Sequence, residues 1–522
     1  MEEFDENDNI NQKLNDIENN IKKPRKYKYI ILLILLILII IGVVIIIVIS
    51  VKSSNSSSNN ENNEYNNNND NYDNIIKAIF YTEDSNLIKI INNPFDKLNI
   101  KLFIDGKEID FVTEYQFQTS GNHTVIFKFK EELTNLSSLF SGCEQLKEID
   151  FSGVNKNNIK IMNNLFDGCT SLENVNLDNL NTSNLENMDS MFQGCISIQY
   201  INLKNFETSK VTSMAKMFLD CKSLISVDLE KFNTKNVINM EYMFGRCYNL
   251  IKINIKDSFD LTNTIKANSM FFLCRSLKEV SLKNENINGE SSYIDMNGMF
   301  EKCNSLINID LTKFERKIIK DIKFMFYECS NLTSIDMTKF DTTESTNFYS
   351  LFQGCSSLTS LDLSQMNTEQ VSTMNSVFRD CTSLESLDLS NWNTSKVTSM
   401  VSLFYNCSSL KSVKLDKFNT SKVDMMQFMF DKCYSLEKID LSMFDIKNVR
   451  DIRSFFEDCK SLTEIDLSNF NGTKLDSLRC SKIFETNGPN ATIKYNPNII
   501  GKVLEKEIPV GCKKINITED FV

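Results

Sequence analysis

Histidine appears once in this sequence, tryptophan once, proline five times and glycine fifteen times in 522 residues. A single histidine excludes an H-E-x-x-H metal site and makes any Ser-His-Asp arrangement depend on His123 alone. The scarcity of proline and glycine excludes a collagen-like or Pro-rich chain. There is no C-x-x-C pair, no Walker A run, no G-x-G-x-x-G and no G-x-S-x-G, so neither a catalytic constellation nor a cofactor site is expected. Positive charge is also short: the formal net charge is -12, which disfavours a nucleic-acid partner by repulsion.

What is present begins with an apolar run. Ile30 to Ile49 hold twenty residues without a charge, a helix of about 30 Å if it spans a bilayer. Lys22, Lys23, Arg25, Lys26 and Lys28 precede it and only Lys52 follows closely. The positive-inside rule then predicts a single-pass type II protein, with residues 1–28 as a cytoplasmic tail and 29–51 as an uncleaved signal anchor. A cleaved signal peptide fits less well, because the run is long and no small-residue cleavage pattern follows. Residues 52–74, Asn- and Ser-rich, read as a flexible stalk that leaves the rest extracellular or lumenal.

From residue 143 a cysteine recurs every 26 residues through Cys459, thirteen times, with intervals of 27 before Cys274 and 29 before Cys303. Such a period is the mark of a solenoid. In each unit Val211, Met214, Met217, Phe218 and Cys221, or their counterparts, fall on one face of a short helix, with Thr208 and Ser209 as N-caps. After the cysteine, L-x-x-L-x-L, as Leu384, Leu387 and Leu389, predicts a strand. The cysteines are expected as buried, reduced thiols stacked coil on coil. Disulfides between coils are permitted by spacing, but parallel side chains and an odd count argue against them. Cys480 and Cys512 fall out of phase and are candidates for a disulfide.

The motif M-x-x-M-F-x-x-C-x-S-L-x-x-I/L-D-L-S-x-F-N-T, seen as VTSMAKMFLDCKSLISVDLEKFNT and VSTMNSVFRDCTSLESLDLSNWNT, resembles the repeat of BspA-like leucine-rich repeat surface proteins. It also resembles the related repeat of unknown function in mycoplasma-type surface lipoproteins. The resemblance covers roughly residues 133–485 and implies a solenoid displayed at a cell surface, for adhesion or for binding a protein or glycan. One departure stands out: no cysteine near the N-terminus is placed to carry a lipid.

The fold expected is therefore an α/β solenoid, a right-handed leucine-rich-repeat-like coil of about 13 units with a short strand and short helix per unit, preceded by one transmembrane helix. Residues 75–132 are expected to form a β-rich cap, with a hairpin at Asp105-Gly106, a strand over Gly121 to Phe129, and His123 in the turn before it. Residues 486–522 are expected to cap the other end, with IKYN and VLEKEIPV as strands.

On the strand face, one outward position carries Asp150, Asp228, Asp310, Asp336, Asp362, Asp388, Asp440 and Asp466, with Asn176, Asn202, Asn254, Ser281 and Lys414 in the remaining coils. At about 4.8 Å spacing, adjacent carboxylates repel by roughly 1 kcal/mol in water. The ladder is either a binding surface for a cation or basic partner, or a solvated face whose Asp and Asn side chains bond the turns. A straight single file does not supply the roughly six to eight oxygens calcium takes. Two residues earlier the position varies freely, as Tyr200, Lys252 and Lys438 illustrate, and is where a partner is expected to be read. Asn181, Asn393 and Asn419 lie in N-T-S turns as candidate glycosylation acceptors. The functional expectation is a membrane-anchored surface protein that recognises a macromolecule and is not an enzyme. The alternative is a structural surface-coat component without a specific ligand.

Overall fold

The computed structural model describes residues 72–92, 99–256, 258–285, 293–472, 475, 478–485, 491–498, 500, 502–510 and 512–516. The chain entering the repeats first builds an antiparallel sheet. Asn74–Thr82 lies at its centre, with Ile76, Ala78 and Phe80 turned into the core. It pairs on one side with Gly121–Phe129 and on the other with Leu146–Val154, the strand of the first coil. Ile100–Ile104 and Lys107–Ile109 continue the sheet outward as a hairpin. The turn between them places Asp105 at φ 47° and Gly106 at φ 80°, the pair of left-handed residues that a tight hairpin needs. Because Leu146–Val154 also pairs in parallel with Asn174–Asn176, the cap hands its hydrogen bonding directly to the solenoid.

His123 lies within the Gly121–Phe129 strand rather than before it and is buried. Its Nδ1 is 2.8 Å from Asp105 Oδ2, its Nε2 is 2.9 Å from the Thr119 carbonyl, and its ring stacks on Phe117. This places it as a packing element of the cap.

The expected helix in each unit does not form. Along Met214 to Cys221 the amides of Met214, Lys216, Phe218 and Asp220 donate to Asn239, Glu241, Met243 and Gly245 of the next coil at 2.8–2.9 Å. Those of Met217, Leu219 and Cys221 close tight turns onto Met214, Lys216 and Phe218 at 3.0–3.3 Å. Lys216 and Asp220 take φ of 57° and 61°, a left-handed geometry that an α-helix cannot contain. The same alternation recurs from Ser138 to Asp458. Apolar residues spaced by three and four satisfy such three-residue turns as well as a helix, so periodicity alone did not separate the two. The architecture is a β-solenoid of thirteen cysteine-bearing turns, not an α/β one.

Two files of side chains fill the coils. One is an unbroken stack of phenyl rings from Phe140 to Phe484, with neighbouring centroids 5.1–6.1 Å apart. The other is the buried Leu, Ile and Val of the strand side. At the N-terminal end the first coil's carbonyls are closed by the cap: Lys89 Nζ donates to the Ser141 carbonyl at 3.2 Å and the Asn92 amide to that of Leu139 at 2.7 Å.

The strand side is less continuous than the turn side. Tyr200–Asn202, Ser226–Leu229 and Lys252–Ile255 form one parallel sheet, and Ser386–Asp388 pairs only with Ser412–Lys414. The coils of Asp336 and Asp362 form no strand there among the described residues; a 3-10 turn, Met337–Lys339, follows Asp336 instead. Lys317 lies in the coil after the one whose cysteine interval lengthens to 29 residues and reaches back to the coil before it. Its buried Nζ donates to the carbonyls of Leu261, Thr262 and Thr264 at 2.5, 2.9 and 3.2 Å.

Towards the C-terminus Glu464–Leu467, Thr492–Tyr495 and Lys513–Asn516 stack in parallel, so the IKYN strand is present. The VLEKEIPV stretch is not a strand: Lys502–Lys506 is a one-turn α-helix, with Leu504 and Ile508 buried. The membrane expectation is also corrected. Among the described residues no helix is long and apolar enough to cross a membrane, and the run over 29–51 lies outside them, as do the tail and most of the stalk. The single-pass type II assignment is withdrawn.

Candidate functional site

The cysteine file is a hydrogen-bonded element. Each thiol from Cys169 to Cys459 donates to the carbonyl of the phenylalanine three residues before the preceding coil's cysteine, at 3.0–3.2 Å, as Cys355 does to Phe326. That carbonyl already accepts the amide closing its own turn, as Cys329 N shows at 3.1 Å, so the sulfhydryl fills a second lone pair inside the core. Burial raises the thiols far above their usual range, with Cys143 at about 12, which keeps them protonated and unreactive. Cys355→Ala is expected to cost about 1–2 kcal/mol through the lost sulfur volume and contact. Cys355→Ser keeps a donor but places a more polar group in the same apolar site. Urea unfolding of the two variants measures both.

Cys480 is buried in the Met214-like position of the turn after Cys459, and Cys512 is half-buried; no disulfide joins them.

The acidic file is tied into the turns of its coils. Oδ1 of Asp228, Asp310, Asp336, Asp362, Asp388, Asp440 and Asp466 accepts the amide two residues on, at 2.9–3.1 Å. This Asx turn ends the strand. Repulsion along the file is relieved where a neutral or basic residue intervenes. Asn254 Nδ2 donates to Asp228 at 3.0 Å, Ser281 Oγ to Asp310 at 3.0 Å, and Lys414 Nζ to Asp388 at 2.8 Å. The Lys414 ammonium, with Ser390, holds the Asp388 carboxyl well below its usual range, and the Ser364 amide lowers that of Asp362. A second file of the same kind, missed from the sequence, starts the turn ladder: Asn187, Asn239, Asp295, Asp321, Asn347 and Asp451 each accept the amide two residues on. Asn or Asp just before the first apolar turn residue was its signal.

The variable positions lie side by side. Tyr200, Ser226 and Lys252 are in register on three paired strands. Tyr200 is 48% exposed and Ile251, next to Lys252 in the chain, 49%, large side chains that the buried pattern does not require. Lys438 stands elsewhere on the same side, 3.1 Å from Glu464.

The N-T turns are tied coil to coil by the threonine. Thr394 is fully buried, accepts the Asn419 amide at 2.8 Å and donates to the Asn419 carbonyl at 3.0 Å. It is therefore not the helix N-cap inferred for the position. Asn181, Asn393 and Asn419 themselves are exposed, each with its Oδ1 accepting the amide two residues on.

On the turn side a cluster also escaped the sequence reading. The Arg379 guanidinium lies 4.2 Å from the Tyr405 ring centroid and bonds Asp380 at 3.2 Å, while Lys432 Nζ donates to the Tyr405 hydroxyl at 2.7 Å. Reading the residues one and two before each cysteine as two files would have found it. Among the described residues no group of three or more His, Cys, Asp or Glu side chains could hold a metal ion.

A family model described as "BspA type Leucine rich repeat region (6 copies)" matches residues 69–187. A second, described as "Mycoplasma protein of unknown function, DUF285", matches 134–254, 173–285, 294–387 and 372–493. No curated protein matches. Two similar solved structures are those of a plant peptide hormone receptor, RGFR1, in complex with RGF2, and the leucine-rich-repeat ectodomain of the membrane receptor kinase GASSHO1/SCHENGEN3 from Arabidopsis thaliana in complex with CASPARIAN STRIP INTEGRITY FACTOR 2. The first is 14% identical, covers 74% of this chain and 72% of its own, and has a TM-score of 0.23. The second is 14% identical, covers 72% and 56%, and has a TM-score of 0.16; scores this low carry no argument. With most of its length matched, the chain belongs to the family of DUF285 repeats, and its first coils carry the BspA-type leucine-rich repeat.

Proposed function

We propose that the chain is a non-catalytic recognition protein that holds a protein partner on the outward residues of its strand side. The observation that carries this reading is the contrast within one coil. The buried Leu, Phe, Met and Cys positions repeat, the Asx position repeats because the turn uses it, and the residue between them changes from coil to coil. A file occupied by Tyr200, Ser226 and Lys252 in register, flanked by exposed Ile251, has the aromatic, apolar and cationic mixture that interface centres favour. Asp228, Asp336, Asp362 and Asp440 add their second carboxylate oxygens to the same surface, those of Asp310 and Asp388 being held by Ser281 and Lys414 and that of Asp466 lying 3.9 Å from Lys494, and Lys438 extends it. A leucine-rich-repeat family membership supports a binding role over a catalytic one.

The test uses the full chain against a panel of purified proteins and peptides, with glycans as comparison. Saturable binding weakened more than about tenfold by Tyr200→Ala or Lys252→Ala, at unchanged unfolding midpoint, is the expected result. Absence of saturable binding, or binding indifferent to these strand-side variants, contradicts the reading and favours a coat component that packs without reading a ligand.

A further inference from the structure

Asp431 stands apart from every other acidic residue of the turns. It occupies the position two before Cys433, between Tyr405 of the preceding coil and Glu457 of the next. The Asn406 amide donates to its carbonyl at 2.7 Å, and the Lys432 amide to that of Glu457 at 2.8 Å. The residue is 4% exposed, and its Oδ1 is enclosed without a hydrogen-bond partner. Enclosing an unsatisfied carboxylate oxygen is costly, and the neutral acid avoids most of that cost.

The neighbours do not supply the missing partner. Two cations face the group, and both are turned elsewhere: Arg379 to Asp380 and the Tyr405 ring, Lys432 to the Tyr405 hydroxyl. Two carboxylates face it as well, Glu457 and Asp458. These in turn lie 3.6 Å from Lys482 and 3.5 Å from Lys460.

We propose that Asp431 makes the coil of Cys433 a proton-responsive seam of the solenoid, tight when its carboxyl is protonated and loosened when it ionises beside Glu457. Burial first, then the Glu457 charge, push the carboxyl up to about 6, with Lys432 opposing. In the unfolded chain the group titrates near 3.8. The folded chain therefore keeps a proton that the unfolded chain has released across that window. The stabilisation is complete below the lower value and is lost as pH rises through the upper one. The seam lies beside the Arg379–Tyr405–Lys432 cluster, so its loosening acts on a half-buried aromatic and two cations of the turn side.

The test is urea unfolding of the full chain between pH 4 and pH 8, followed by the emission of its single, fully buried tryptophan, Trp392. Relative to Asp431→Asn, the wild-type unfolding constant is expected to rise on the order of ten- to a hundredfold over that range, since every pH unit separating the folded and unfolded titrations is worth about tenfold. Glu457→Gln is expected to move the midpoint of this rise to lower pH. A wild-type to Asp431→Asn ratio that stays flat overturns the proposal. If Asp431→Asn does not fold, a Glu457→Gln profile superimposable on wild type overturns it equally.

Discussion

Phe352→Ala is expected to lower stability by about 3–5 kcal/mol. The Phe352 ring is fully buried, 5.5 Å from Phe326 and 5.9 Å from Phe378, in the middle of an unbroken stack. The backbones of the neighbouring coils are held by their own inter-coil amide bonds and cannot close on the gap as a whole. A solenoid transmits stability only between adjacent coils. Removing one ring therefore weakens the coupling between the two halves as well as the coil itself. Urea unfolding should show a lower midpoint and, as the halves part, a shallower slope. A loss under about 1 kcal/mol with unchanged slope would mean that the ring stack is not the coupling element.

Lys317→Met is expected to cost about 2–3 kcal/mol, since it removes the amine donor from the enclosed carbonyls of Thr262 and Thr264 and one of the two donors from that of Leu261, which also accepts the Thr264 amide at 3.1 Å. In regular coils a threonine bridges this turn, as Thr208 does by donating to the Asn233 carbonyl at 3.1 Å and accepting its amide at 2.8 Å. Here Thr262 accepts the Glu285 amide at 2.8 Å, and the long amine of Lys317 reaches back from the coil beyond to the carbonyls of the same turn. Burial pulls the Lys317 ammonium down to about 8 from 10.5. Between these values the unfolded chain holds a proton that the folded chain has released, so this group makes stability rise with pH across the window. A thermal unfolding series from pH 7 to pH 11 should show that rise in wild type and its absence in Lys317→Met. A methionine variant as stable as wild type at neutral pH would contradict the role.

The parts legible in the sequence were those set by side-chain chemistry that repeats. The cysteine period gave the number of coils. L-x-x-L-x-L placed the strands except in the coils of Asp336 and Asp362, which form none among the described residues, and Asp105-Gly106 marked the hairpin because few other pairs accept two left-handed residues. The turn ladder was not legible. Whether the amide of Phe218 bonds four residues back or to the next coil leaves no trace in which residues are apolar. The left-handed positions are mostly Lys216-like or Asp220-like residues, with glycine only in some coils, such as Gly354 at φ 78°. There a Cβ would stand 3.2 Å from the Glu328 backbone. The Asp file was legible as a pattern but not as a device. Asp-x-Ser, as Asp388 to Ser390, is the local signature of an Asx turn, and the bond from the Ser390 amide at 3.0 Å accounts for one carboxylate oxygen. The Arg379–Tyr405–Lys432 cluster and Asp431 arise from columns across coils, which only stacking brings together.

The central claim is that stacking is carried by the turn ladder, leaving the strand side freer to vary. Residue-resolved hydrogen exchange under native conditions tests it most directly. The amides of Phe352 and Gly354, which donate to Val377 and Arg379 of the next coil at 2.9 and 2.8 Å, should be among the slowest to exchange. Those of Ser360 and Asp362, outside any strand, should exchange much faster. If the strand-side amides outlast those of the turns, the spine of the solenoid is the leucine-rich strand file and the account is wrong.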